Sequence, residues 1–155
     1  MLCYCVLSIY ASPRVEISSN ENINGEVLLM TVDEAITRFG EPFSISYDEI
    51  ENDYYFTNYS YLNFTITSFS KDPEFVFSMS VESQLTLLGF IQIGDRLPEI
   101  LIEANNRGIS VRRWRDSVYN IYLEEVSNEN LRRWPIVTLY FTENVLVKYV
   151  ISPGT

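Results

Sequence analysis

Four carboxylates fall within six positions, at Asp48, Glu49, Glu51 and Asp53, and two phenols, Tyr54 and Tyr55, follow directly. Carboxylates beside rigid aromatic rings suit the recognition of Lys and Arg on another protein. The charges attract and orient the partner, and the rings supply contact area. The same run repels itself, so it also fits a solvated loop over Ser46–Asp53. A calcium loop of the EF-hand type needs a Gly at its sharp turn and a final bidentate Glu, and this spacing supplies neither.

A second charged group is Arg112-Arg113-Trp114-Arg115-Asp116, echoed by Arg132-Arg133-Trp134. Strict strand alternation sends Arg113 and Arg115 to one face and Arg112 and Trp114 to the other. Such arginines can stack on Trp or fork onto a carboxylate, either on a partner or on the acidic first half of this chain.

The chain has no His. That removes the commonest general base and metal ligand, and every nucleophilic triad built on imidazole. Cys3 and Cys5 are the only cysteines. Two thiolates alone make an incomplete zinc site. The acidic residues lie on a loop or on helix surfaces, with nothing to raise one carboxyl selectively as a glycosidase pair requires. Neither a phosphate-binding Gly loop nor a nucleophile elbow occurs. The expectation is a non-enzymatic protein without metal or cofactor.

The formal net charge is −10, and it is unevenly placed. Residues 1–82 hold 13 acidic and 3 basic side chains, whereas residues 83–155 hold 8 of each. Phosphate backbones are repelled by such a surface, so nucleic acid is not an expected partner. A basic protein would be steered towards it. The apolar Met1–Ala11 run is too short to span a bilayer. It reads either as a buried first strand, Cys3–Tyr10, turning at Ser12-Pro13 into Val15–Ile17, or as a signal segment. The first reading implies a cytoplasmic protein, the second a secreted or periplasmic one, a cell-envelope or scaffold protein with a cleaved N-terminal segment.

With 155 residues, 46% of them hydrophobic, the chain suits one domain with a single core. Ser18–Gly25 reads as a loop and Val27–Met30 as a short strand. Thr31-Val32-Asp33-Glu34 matches a capping box, with Val32, Ala35, Ile36 and Phe39 at helical spacing, Gly40 as the stop and Pro42 beyond it. Aromatic strands follow over Tyr54–Thr57 and Tyr59–Phe69. After a turn at Lys71-Asp72-Pro73, Phe75, Phe77, Met79 and Val81 line one face of the next strand. The order then recurs. Leu87–Ile93 is strand-like, and a helix runs from about Arg96 to Asn105 with Leu97, Ile100, Leu101 and Ala104 as its buried stripe. Ile109–Arg113 and Val118–Glu124 read as strands, and Ser127–Arg133 as a polar connection with one helical turn. Ile136–Phe141 and Val145–Ile151 form a final hairpin around Thr142-Glu143-Asn144. The expected class is α+β: an antiparallel sheet with two short helices on one face, arranged as two helix-plus-strands repeats over 26–82 and 87–151.

The segment Met30-Thr31-Val32-Asp33-Glu34-Ala35-Ile36-Thr37-Arg38-Phe39-Gly40-Glu41-Pro42 resembles the helix opening of the tandem-repeat β-lactamase inhibitor proteins. It is similar also to that of a small outer-membrane assembly lipoprotein. Ile93-Gly94-Asp95-Arg96-Leu97-Pro98-Glu99-Ile100 looks like a second copy lacking the Gly-x-Pro ending. The resemblance implies a curved sheet whose face grips a protein. Size, acidity and eleven Tyr also resemble bacterial immunity proteins. That likeness implies a cognate toxin as the basic partner, and the run Asp48, Glu49, Glu51, Asp53, Tyr54 and Tyr55 is the segment expected to meet it.

Overall fold

The computed structural model describes residues 22–51, 53–83 and 85–154. The N-terminal readings, including Cys3 and Cys5, lie outside them. Helix α1 spans Val32–Phe39 and α2 spans Leu97–Asn106. After α1 come strands β1 Ser44–Glu49, β2 Tyr55–Ser60, β3 Phe64–Phe69 and β4 Asp72–Val81. After α2 come β5 Val111–Arg115, β6 Val118–Tyr122, β7 Pro135–Thr142 and β8 Val145–Pro153. These eight strands form one sheet in the order β1-β2-β3-β4-β8-β7-β6-β5. Every pairing is antiparallel. Two meanders of four strands thus meet through their last members, where Tyr149 pairs with Val81 and Ile151 with Met79. The protein is α+β with an antiparallel sheet, as expected.

Local chemistry explains the helices. Thr31 Oγ1 accepts from the Glu34 amide at 3.1 Å, and the Glu34 carboxylate accepts from the Thr31 amide at 2.8 Å, so the capping box is closed. Gly40 ends α1 at φ 84°, a left-handed position that suits glycine. Val32, Ala35 and Phe39 are buried, with Phe39 edge-on to Phe64 at 5.1 Å. In α2, Leu97, Ile100 and Ala104 are buried, but Leu101 points outward and leaves the predicted stripe.

The core lies on the helix-bearing side of the sheet. There Phe64, Ile66, Val76, Met79, Val81, Ile121, Val137, Leu139, Tyr149 and Ile151 join residues of both helices in one cluster. The Tyr149 hydroxyl donates to the Leu85 carbonyl at 2.9 Å inside that cluster. No described helix is long and apolar enough to cross a membrane.

Several expected elements come out differently. Val27 lies in a 3-10 helix, Gly25–Leu29, not a strand, because the Asn24 side chain caps it and Val27 and Leu28 bury side by side instead of alternating. Gly25 packs so closely under Pro135 that an added Cβ would sit 2.6 Å from the ring. Tyr59–Phe69 is broken by a turn in which the Tyr61 amide bonds the Phe64 carbonyl, with Leu62 and Asn63 at the exposed tip. Leu87–Ile93 is not a continuous strand. Leu88 and Gly89 adopt positive φ, and Leu87 closes on Ile91 across the turn. Ser127–Arg133 has no helical turn. Val126–Ser127 pairs with Arg132–Arg133 instead, and the Asn128 side chain accepts from the Asn130 and Leu131 amides.

Candidate functional site

The acidic run does not form a loop throughout. Asp48 and Glu49 end β1, Glu51 and Asp53 occupy the hairpin turn, and Tyr55 opens β2. The turn closes where the Ile50 amide donates to the Tyr54 carbonyl at 2.6 Å, and Asp53 sits at φ 64°. That left-handed position is one Asp tolerates better than most residues. Asp48 and Glu49 are held in register by pairing with Phe56 and Tyr55. The charges therefore do not prevent a strand. They need water, and an edge strand offers it on both faces and along one side.

Alternation divides the run between the two faces of the sheet. Tyr47, Glu49 and Tyr55 lie on the helix-bearing side, and the Tyr47 and Tyr55 rings meet edge-on at 6.1 Å. Asp48 lies on the open side, where it accepts from Asn58 Nδ2 at 2.7 Å while Asn58 Oδ1 accepts from Thr67 at 2.9 Å. Tyr54 packs against Phe69 at 5.9 Å, with the Lys71 ammonium 4.4 Å from its ring centre. Among the described residues, no ion pair reaches Asp48, Glu49, Glu51 or Asp53.

Other first-half carboxylates are engaged by the second half. Arg133 pairs with Asp72 at 3.2 Å, and Lys148 pairs with Glu82 at 3.2 Å. Internal neutralisation thus acts at the middle of the sheet and stops short of the β1 edge. The arginine group is arranged differently from strict alternation. A bulge at Trp114 lets Arg112 pair with Asn120 and Arg115 with Val118, so these two share a face. Arg112 lies over Tyr122, Arg115 over Trp114, and Arg113 pairs with Asp116.

Reading charge alone overlooks two features of the site. The first is apolar surface at β1: Phe43, just before the strand, and Ile45 and Tyr47 within it are 66%, 51% and 68% exposed, and every residue of β1 is exposed. The alternation Ser-Ile-Ser-Tyr-Asp over 44–48 signals such a strand. The second is a half-buried aromatic cluster on the open side, Phe56, Phe69 and Phe77, with ring centres 5.1 to 5.7 Å apart. Phe77 reaches it because the register shifts between Thr67 and Ser68, which turns Phe77 away from the core while Val76 and Met79 stay in it.

Among the described residues no group of three or more Cys, Asp or Glu is placed to hold a metal ion. The groove beside α1 is lined by Glu26, Leu29, Met30, Glu34 and Arg38, and its Glu34 carboxylate is already committed to the cap.

No protein-family model matches the sequence, and no curated protein matches it. One solved structure is similar: an extracellular protein containing a SCP domain from Bacillus anthracis str. Ames, at 16% identity and a TM-score of 0.50. The match covers 90% of this chain and 47% of that one, so this chain spans about half the length of that protein. At this identity the likeness concerns the fold alone.

Proposed function

We propose that the protein is a non-enzymatic binder of a basic protein, an immunity protein that neutralises a cognate toxin through the β1–β2 hairpin. The observation that carries this reading is the position of Asp48, Glu49, Glu51 and Asp53. They share an exposed sheet edge with Phe43, Ile45, Tyr47, Tyr54 and Tyr55, and no ion pair within the described residues satisfies them. Unpaired carboxylates raise the encounter rate with a cationic surface, and adjacent rings give the bound state area to hold. The scaffold in this reading is a helix-plus-strands unit used twice, in keeping with the resemblance of the α1 opening to the tandem-repeat inhibitors. Its support is the chain order, in which α1 precedes β1–β4 and α2 precedes β5–β8. The reading places the protein in the cytoplasm of the toxin-producing cell.

The test is co-expression with the product of the adjacent gene, followed by association kinetics. A stoichiometric complex is expected. Changing Asp48, Glu49, Glu51 and Asp53 together to Lys should slow association at low salt by at least about tenfold, an effect that fades as salt rises. An unchanged on-rate at low salt would remove the hairpin from the account.

A further inference from the structure

We infer that the partner docks by adding a strand to the outer edge of β1, through an extended segment that alternates apolar residues with Lys or Arg. The inference rests on the reading above and names how the same edge is engaged. Three observations carry it.

The first is the backbone. Ladder bonds in an antiparallel pair alternate along the strand. The Ile50 amide bonds the Tyr54 carbonyl, which makes Ser46–Asn58 and Asp48–Phe56 the bonded pairs. The Ser70 amide bonds the Tyr55 carbonyl, so Tyr55 turns towards β3 and away from β1, in agreement. Ile45, Tyr47 and Glu49 therefore direct their N–H and C=O groups outward, and no described strand lies beyond β1. The second is regularity. β1 pairs with β2 over six residues without a register shift. Natural edges are commonly blunted by bulges, cations or shortness. β5, at the opposite edge, has five residues, a bulge at Trp114 and three arginines. The third is side-chain chemistry. An added strand would place residues opposite Ile45 and Tyr47 on the helix-bearing side, against exposed apolar surface. Residues opposite Ser46 and Asp48 would fall on the open side, where Asp48 supplies the charge, and Glu51 and Asp53 lie at the strand's end. Alternating apolar and cationic residues satisfy both sides at once. This mode draws affinity from main-chain hydrogen bonds and specificity from alternate side chains.

The test uses the full-length chain and the heptapeptide Lys-Val-Lys-Val-Lys-Val-Lys. A second peptide has the same sequence with its Val amides N-methylated. In the free protein the Ile45 and Tyr47 amides should exchange fast, and the first peptide should slow them. N-methylation leaves charge and apolar surface in place but removes the donors. It should weaken binding at least about tenfold, the loss expected when two or more backbone hydrogen bonds go unmade. Tyr47→Pro removes one outward N–H at a position where an edge strand tolerates proline, and should weaken binding more than Tyr47→Ala does. Slow exchange of Ile45 and Tyr47 in the free protein would overturn the inference by showing that the edge is already paired. Equal binding of the two peptides would overturn it too. In that case, loss of binding when the four carboxylates become Lys leaves the charge-guided reading standing. Binding that resists charge reversal removes that reading instead.

Discussion

The two outer strands of the sheet are built from opposite materials. β1 is fully exposed, regular in register and acidic at its end, and it displays Ile45 and Tyr47 without a helix over them. β5 is shorter and broken by the Trp114 bulge. Its arginines are occupied with Tyr122, Trp114 and Asp116. Both strands follow a short helix and open a four-stranded meander, so the contrast is not imposed by topology. A bulged, cationic edge resists further pairing, whereas a flat edge with exposed apolar groups invites it. The half of the chain holding all the surplus negative charge also holds the inviting edge.

The comparison breaks most sharply if β1 is given the chemistry of β5. Ile45→Arg with Tyr47→Arg should cut affinity for the Lys/Val heptapeptide by about a hundredfold, since it removes apolar surface and repels the ligand. Isothermal titration reads this directly, and unchanged affinity would mean that the two edges do not differ in function.

The seam between the meanders comes next. Tyr149 lies buried on β8, and its hydroxyl serves the Leu85 carbonyl. Tyr149→Phe leaves that carbonyl without its partner and should cost about 1–3 kcal/mol of stability in urea unfolding. Alkaline unfolding sharpens the same point. Burial, with smaller contributions from Glu41 and Tyr59, pushes the Tyr61 phenol from 10.0 up to about 12, and burial raises Tyr149 as well. A raised phenol means that the fold favours the neutral ring. The contribution is whole below the unfolded value near 10 and is lost as pH climbs from there towards about 12. A fall in stability that sets in well below that window would have another cause. The smallest effect belongs to the pair joining the two halves at the surface. Lys148→Met removes the contact with Glu82, and should change stability by no more than about 1 kcal/mol.

What the sequence disclosed follows the range of the forces involved. The Thr31–Glu34 capping box and Gly40 stop act within one turn, so the limits of α1 were legible. The β7–β8 hairpin was legible for the same reason, since Glu143 and Asn144 both take positive φ between strands of clear alternation. The β1 strand was obscured because four carboxylates dominate Ser46–Asp53, although the alternation from Ser44 to Asp48 was present. Bulges hid more. Trp114 and Phe77 each shift the parity of their strand, so the faces assigned to Arg115 and Phe77 by counting in twos were wrong. The pairing of Tyr149 with Val81 joins residues far apart in the chain, and no local pattern announces it. Of the residues proposed for binding, the carboxylates and Tyr54 and Tyr55 could be named from type and spacing. Phe43, Ile45 and Tyr47 could not, because their exposure depends on where α1 stops covering the sheet.

The most direct measurement is a residue-resolved chemical-shift titration of the full-length, isotope-labelled chain with pentalysine at low ionic strength. The account predicts shifts concentrated between Ser44 and Tyr55 that vanish as salt is added, with Val111–Arg115 undisturbed. Shifts spread evenly over the surface, or centred on Glu124 and Glu125, would contradict it.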